Sequence, residues 1–425
     1  MVMSQMKSGQ AETDEVISKL SKDIDSDRRK IQDFFVKMLR INSVNPRMGG
    51  PGEIERAKFI QSYLDSEGFK TDRVDVPDPG FAGHVRPNIY AKIEGVDKTR
   101  TLWFLSHMDT VPEGSRELWS SDPFEPVIKD GKIFARGAED NGQSLASSLF
   151  AMRALYKTNA KIPFNVGIWG VADEEYGSEY GVKHLLEHGY FHKNDLIVVP
   201  DAGSPEGLVI EIAEKNLLWF KITTKGKQVH ASMPGHGKNA HRIGMELALR
   251  LDKTFHEKYT KRDQMYDDPL STFEPTKVEP NVPNINTVPG VDVFYFDCRV
   301  LPEYSLDSVI SDIHSGISEL ESRTGAEIEF EIINREDAGP ATSSSSAVSQ
   351  MLQRSISKVT GKKANFVGIG GQTVGNLFRK KGFPTVVWST VDDIPHEPNE
   401  YSKFENLVSD AKVFAAMPLL SSATT

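Results

Sequence analysis

The chain has 425 residues, 38% of them hydrophobic and 26% charged, a balance that suits a soluble globular protein rather than a disordered one; its length makes two domains the default expectation. A formal charge of -10, with no cluster of lysine and arginine interleaved with aromatics, argues against nucleic-acid and anionic-membrane binding. Cys298 is the only cysteine, which excludes an intrachain disulfide and fits a reducing cytoplasm.

The stretch Met1 to Asp27 is polar and carries no apolar signal core, so secretion is not expected. Apolar runs such as Leu196 to Pro200 fall far short of the ~20 residues of a bilayer crossing. The first predicted helix runs from Ser26 to Arg40, with Ile31, Phe34, Phe35, Met38 and Leu39 on one stripe, and ends before Asn45-Pro46. A second, Glu53 to Glu67, stops at Gly68. Strands follow at Asn88 to Ile93, Thr101 to His107, Phe164 to Ala172 and Leu196 to Pro200, with helices at Ser144 to Tyr156 and Tyr180 to His188 between them. This alternation predicts an α/β domain with a mainly parallel sheet covered by helices on both faces.

From Leu217 the pattern changes. Strands at Trp219 to Thr224, Thr276 to Val278, Val291 to Leu301 and Ile328 to Ile333, with helices at Ala240 to Tyr259 and Leu306 to Thr324, give a ferredoxin-like βαββαβ order, expected of a small α+β unit. After Arg335 a helix (Ser346 to Thr360) and a strand (Thr385 to Trp388) resume the first pattern. The expected division is 1–216 and 335–425 for the large domain and 217–334 for the inserted one.

Five segments carry candidate chemistry: His107-Met108-Asp109, Asp140, Glu174-Glu175, Asp201 and His396. Imidazole and carboxylate are the ligands of divalent zinc, cobalt or manganese, and there are enough of them for two ions sharing a bridge. Loops at the carboxyl ends of parallel strands are where ligands bind, and His107, Glu174 and Asp201 are placed there. Taken singly, each has a bland reading: His-x-Asp as a surface pair, Asp140 as a helix N-cap, Glu174-Glu175 as solvated loop charges, His396 as a loop histidine between prolines. Taken together, one glutamate of the pair binds metal while the other takes a proton from an activated water. Asp109 is placed to orient His107, with direct ligation the competing reading. Gly368-Ile369-Gly370-Gly371-Gln372-Thr373 lacks the final glycine of a dinucleotide fingerprint, and no His-Glu-x-x-His, Gly-x-Ser-x-Gly or P-loop pattern occurs. Cys298 reads as packed rather than reactive.

In chain order, Ser106-His107-Met108-Asp109-Thr110, Trp119 with Asp122-Pro123-Phe124, Arg136-Gly137-Ala138-Glu139-Asp140, Asp173 to Ser178, Pro200-Asp201-Ala202, Val229-His230-Ala231-Ser232 and His396 to Glu400 resemble the M20 family of dinuclear zinc peptidases and amidohydrolases. That family includes succinyl-diaminopimelate desuccinylase, acetylornithine deacetylase, aminoacylase, carboxypeptidase G2 and carnosinase-type dipeptidases. The resemblance spans Ile31 to Val413. It implies metal ligands His107, Asp140 (bridging), Glu175, Asp201 and His396, Glu174 as general base, Asp109 orienting His107, and a cis peptide at Asp140-Asn141. It further implies that the small domain is a lid and dimerisation module, with His230 completing the partner subunit's site. Asn286 and Arg299 would grip a substrate carboxylate, and Gly371 to Thr373 would line the same pocket.

Two departures stand out: Asn141-Gly142-Gln143 replaces an Asp-Lys-Gly-like run, and position 201 is aspartate, which favours dipeptidases over deacylases in the family. The expected activity is hydrolysis of an amide or peptide bond beside a free carboxylate, by an N-acyl-amino-acid deacylase or a dipeptidase, in a cytoplasmic homodimer. A catalytically inactive relative serving as a binding module is the alternative.

Overall fold

A computed structural model of the chain describes residues 2–81 and 85–421, with side chains from residue 11 onward. In chain order the helices are α1 (Val2–Ser26), α2 (Arg28–Leu39), α3 (Ile54–Ser66), α4 (Ser144–Thr158), α5 (Val182–Glu187), α6 (Ala240–Lys258), α7 (Leu306–Thr324), α8 (Ala347–Thr360), α9 (Val374–Lys380) and α10 (Phe404–Ala416). The principal strands are β1 (Thr71–Pro77), β2 (Val85–Ile93), β3 (Asp97–His107), β4 (Phe164–Val171), β5 (Leu196–Ser204), β6 (Val209–Glu214), β7 (Asn216–Lys225), β8 (Thr272–Val278), β9 (Val291–Val300), β10 (Glu327–Glu336), β11 (Asn365–Ile369) and β12 (Thr385–Thr390). The chain forms two compact units: Met1–Ile212 with Pro340–Phe366 and Thr373–Thr425, and Ala213–Gly339 with Val367–Gln372.

The large sheet has the order β1-β2-β4-β3-β5-β12-β6-β11. Its centre, β4-β3-β5-β12, is parallel, while β1-β2, β2-β4 and β12-β6 pair antiparallel. Every residue of β4 is buried, as the uninterrupted apolar run requires of a strand covered on both faces. On one face Trp103, Leu105, Trp169, Val171, Ile197 and Val199 pack with Val182 and Leu185 of α5 and Val374 and Phe378 of α9. The helix α4 is buried along its whole face from Ser144 to Leu155, the environment expected of a helix apolar nearly all round.

Helix α1 lies outside the elements expected from the sequence. Its buried side is the narrow stripe Ile17, Leu20 and Ile24, too sparse against its polar residues to stand out. Strand β5 runs on past Pro200 to Ser204, and its pairing with β12 shifts register between Val387 and Ser389. Asp201 therefore sits at an irregularity inside a strand, not beyond its end. Such bulges re-aim side chains, a feature that alternation alone does not reveal.

In the second unit the sheet order is β8-β9-β7-β10, antiparallel throughout. Leu218, Phe220 and Ile222 of β7 and Phe294, Phe296 and Cys298 of β9 point to one face, where α6 and α7 supply Leu247, Leu251, Phe255, Val309, Ile313 and Leu320. Strand β8 begins four residues earlier than the expected Thr276, at Thr272. Pro275 within it is tolerated because β8 is an edge strand with an irregular register at that point. Among the described residues, no helix is long and apolar enough to cross a membrane.

Candidate metal centre and active site

The four central parallel strands deliver the candidate ligands from their carboxyl ends, where ligands of open α/β sheets gather. His107 is the last residue of β3; Glu174 and Glu175 form the turn after β4; Asp201 lies on the irregular end of β5; His396 follows β12. Asp140 comes from the irregular segment ahead of α4, with φ -110° and ψ 97°, and is followed by a cis peptide to Asn141. It does not cap α4. A Cβ at Gly142 would collide with the Gly137 carbonyl, so only glycine lets this segment fold back on itself.

Two groups of three side chains converge, each with ligand atoms within 4.8 Å of one another: His107, Asp140 and Asp201, and Asp140, Glu175 and His396. Asp140 belongs to both. Its Oδ1 lies 2.7 Å from His107 Nε2, and its Oδ2 lies 3.2 Å from His396 Nε2. Asp201 Oδ1 is 3.5 Å from His107 Nε2, and Glu175 Oε2 is 3.1 Å from His396 Nε2. The His107 side chain is 2% exposed and that of His396 54%, so the site has a closed and an open side.

The electrostatics show what the cluster requires. Burial, then Asp201, pushes the Glu174 carboxyl well above its usual range. Burial, then Asp140, raises Glu175 to about 7. Burial opposes charge on the His107 ring, but Asp140 and Asp201 hold its pKa well above the usual imidazole value. Hydrogen bonds to Asp140 and Glu175 lift His396 to about 10. Burial works against an ionised Asp140, yet His107 and His396 keep its pKa below the usual carboxylate range. The carboxylates thus draw positive charge from their own histidines, which is the charge that bound cations supply. The nitrogen and oxygen donors, their convergence and this demand for cations fit two divalent ions sharing Asp140.

In the second unit, His230 pairs with Thr287 on the ribbon formed by Val229–His230 and Thr287–Val288, and just beyond it Ala231 N donates to the Asn286 carbonyl at 2.9 Å; His230 and Asn286 are both exposed. His230 Nδ1 accepts the Ser232 backbone N–H at 3.2 Å and lies 2.7 Å from Ser232 Oγ, which leaves the neutral ring's proton on Nε2. The Asn284 side chain donates to Asn286 Oδ1. Asp297 receives Arg299 Nε at 2.6 Å and Nη2 at 3.0 Å, and Arg299 Nη1 donates to the Gly370 carbonyl at 3.0 Å. One N–H on each terminal nitrogen of Arg299 is left over for an anion. Gly371 lies in the segment between β11 and α9, and in the first unit Thr373 caps α9 by accepting the Gly375 N–H at 3.0 Å.

The sequence pattern of peptidase family M20/M25/M40 matches residues 103–419. The chain belongs to this family. It is 40% identical over 397 residues to an uncharacterized metallohydrolase of Methanocaldococcus jannaschii, a match covering 89% of this chain and 96% of that one. A succinyl-diaminopimelate desuccinylase of Rickettsia bellii is 25% identical over 380 residues, 88% of this chain and 92% of the relative. The fold is that of the dipeptidase Dug1p from Saccharomyces cerevisiae, with a TM-score of 0.73 at 17% identity over 96% of this chain and 99% of the other. The protein is an M20 metallohydrolase.

Within this M20 chain the expected support of His107 by Asp109 takes another form, and the supports of the other ligands were not expected from the sequence. His107 Nδ1 bonds to the Asp109 main-chain carbonyl at 3.0 Å, while the Asp109 carboxylate lies 3.7 Å away. That carboxylate instead accepts the main-chain N–H groups of Glu174 and Glu175 at 3.0 and 3.2 Å. Asp109 therefore orients His107 through its backbone and the glutamate pair through its side chain. Fully buried Glu400 accepts the N–H groups of Gly137, Glu139 and Asp140 and a 2.7 Å bond from Arg136 Nη1. Glu139 accepts the N–H groups of Asp392 and Ile394, both at 2.8 Å, fixing the loop that leads to His396. Asn141 donates to the Pro200 carbonyl at 3.0 Å and to the Asp201 carboxylate. An aspartate at 141 has no proton to give there when ionised, so the departure at this position supplies the donor that Asp201 uses. Of these supports, Asp109, Arg136, Glu139 and Glu400 lie inside the motifs quoted above and Asn141 directly follows one, but nothing in the spacing marks Asp109, Glu139 or Glu400 as acceptors of main-chain bonds.

Proposed function

We propose that this protein hydrolyses an amide or peptide bond beside a free carboxylate in a small substrate. The observation that carries this reading is the half-buried carboxyl of Glu174 near two groups of side chains that could each hold a cation and that share Asp140. His107, Asp140 and Asp201 would hold one ion and Asp140, Glu175 and His396 the other. Zinc is the first choice for this donor set, with cobalt or manganese next. Bound there, two divalent cations acidify water and polarise the scissile carbonyl.

Glu174 takes a proton from the attacking water as its oxygen bonds to the carbonyl carbon. It then gives that proton to the nitrogen as the C–N bond breaks, releasing an amine and a carboxylic acid that ionises by losing its proton to the amine or to solvent. A raised pKa suits it to both halves of this exchange. The Nε2–H of His230 is the proton to offer the developing oxyanion, in a homodimer in which each chain serves the other's site. Arg299, with its two remaining N–H groups, and Asn286 take the substrate carboxylate, with Gly371 of the same unit lining their pocket.

Two substrate classes remain. The 25% identity to a desuccinylase supports an N-acyl-amino-acid deacylase, and Asp201 supports a dipeptidase. The deciding experiment assays zinc- or cobalt-loaded protein on N-succinyl-diaminopimelate, N-acetylated amino acids and free dipeptides, with Glu174→Gln alongside. Cleavage of only acylated substrates selects the deacylase, and cleavage of only dipeptides selects the dipeptidase. In either case Glu174→Gln is expected to lose about 10^3-fold or more in kcat while keeping its metal. Silence of the wild type on all three classes with two ions bound overturns the reading.

A further inference from the structure

Glu174 and Glu175 are consecutive, so their two proposed tasks are tied to one backbone. A cation can hold Glu175 directly, but nothing in the ligand set holds the aim of Glu174. That aim depends on the torsions of the Asp173-Glu174-Glu175 turn. Asp173 sits in the left-handed region at φ 64°, a conformation that a non-glycine residue keeps only when its surroundings impose it.

Those surroundings are unusual. The three successive main-chain N–H groups of the turn go to buried carboxylates rather than to other main-chain atoms. Asp173 N donates to Glu53 Oε1 at 3.1 Å, Glu174 N to Asp109 Oδ1 at 3.0 Å and Glu175 N to Asp109 Oδ2 at 3.2 Å. Asn45 Nδ2 ties the two ends together, donating to Asp109 Oδ2 at 2.7 Å and to Asp173 Oδ1 at 3.1 Å. Arg86 grips both oxygens of Glu53, with Nε to Oε2 at 2.9 Å, and its Nη1 lies 3.2 Å from Asp173 Oδ1. Asn45, Glu53, Arg86, Asp109 and Asp173 are all buried. Glu53 precedes α3 but makes no side-chain bond to cap it. Its carboxylate serves the turn after β4 instead.

We propose that Asn45 and Arg86, acting through Asp109, Glu53 and Asp173, are positioning residues that set the aim of Glu174 independently of metal retention. This rests on the reading of Glu174 as the base. A general base must be held to within about 0.5 Å of its productive position, and a 1 Å misplacement costs about 100-fold in rate. Loosening the clamp lets the turn relax around Glu175, which the cation still tethers, and swings Glu174 out of line. Catalysis then fails before metal binding does.

The test compares zinc-loaded full-length wild type with Asn45→Ser, Arg86→Lys and Glu174→Gln. Each is measured for kcat, KM, zinc content and thermal midpoint on the substrate that the wild type cleaves. Serine at 45 retains an acceptor for the Arg47 N–H, now bound by the Asn45 side chain at 3.0 Å, but is too short to bridge Asp109 and Asp173. Lysine at 86 keeps the charge and loses the two-pronged grip on Glu53. We expect kcat to fall about 30- to 100-fold in both, with KM within about threefold of wild type and zinc content unchanged. If Arg86→Lys fails to fold, Asn45→Ser decides alone. A folded Asn45→Ser with kcat within about threefold of wild type overturns the proposal, as does a loss of zinc in proportion to activity. If Glu174→Gln itself retains turnover, the base assignment falls and the positioning claim with it. An inactive Glu174→Gln beside a normal Asn45→Ser removes only the positioning claim.

Discussion

The candidate groups of the two units are held in opposite ways. In the second unit each is fixed by a residue two positions away: His230 by Ser232, Asn286 by Asn284 and Arg299 by Asp297, with the Gly370 carbonyl and the Trp219 ring as distant partners of Arg299. In the first unit His107 is likewise braced two positions away, by the Asp109 carbonyl, but the carboxylate groups have partners far apart in sequence: Glu174 leans on Asp109, Asp201 on Asn141 and Asp140 on Glu400. The carboxylates of the first unit are buried and repel one another, so local contacts would not hold them against solvent and charge. The exposed His230 and Asn286 face no such cost and the half-buried Arg299 a smaller one, so a short local brace suffices to select a tautomer or aim a guanidinium.

The largest expected break of this contrast is Glu400→Ala. It strips three main-chain N–H groups of their acceptor and leaves the buried Arg136 guanidinium unpaired, a loss of about 3–5 kcal/mol. Denaturant unfolding should show that loss, and zinc content should fall because the Asp140 segment comes free. Retention of both stability and zinc would mean that the long-range brace is dispensable.

A second long-range brace gives the contrast a pH signature. Buried Asp410 accepts the Thr390 N–H at 2.9 Å and the Gln143 amide at 3.3 Å, and burial raises its pKa to about 7. The folded protein keeps a proton that the unfolded chain releases near pH 4. The stabilisation from that proton is complete below pH 4 and is lost as pH rises through 7. In metal-free protein the unfolding free energy should therefore drop by on the order of 2 kcal/mol from pH 5 to 8, and Asp410→Asn should flatten the slope. An unchanged slope would remove Asp410 from the account.

The local braces of the second unit should yield smaller effects confined to kinetics. Asp297→Ala frees the Arg299 guanidinium, and KM is expected to rise about tenfold with kcat and zinc content unchanged. A fall in kcat alone would assign Arg299 to the reaction rather than to substrate binding. Ser232→Ala is the mildest change, since the Ser232 main-chain N–H still faces His230 Nδ1. A kcat reduction of no more than about threefold is expected, and a much larger one would make the hydroxyl a participant.

The sequence by itself determined most of the element types, helix α1 excepted, and the candidate ligands. Uninterrupted apolar strands alternating with helices can be covered only as a parallel-centred sheet, and the alternation along the greater part of β7 and β9 requires a one-faced antiparallel one. His107, the Glu174-Glu175 pair and Asp201 stood out because imidazole and carboxylate side chains recur next to strand ends, while the choice of Glu175 from that pair and the ligand roles of Asp140 and His396 are what the resemblance to the M20 family implies. The tertiary structure alone decided the rest: the irregular pairing that aims Asp201, the exchange by which the Asp109 side chain holds the glutamate pair while its carbonyl holds His107, and the burial of Glu400 beneath Asp140. A hydrogen bond between residues 65 or 260 positions apart leaves no periodicity in the sequence, since either partner alone reads as an ordinary polar residue. Only folding, by removing water from both, makes each the other's required partner.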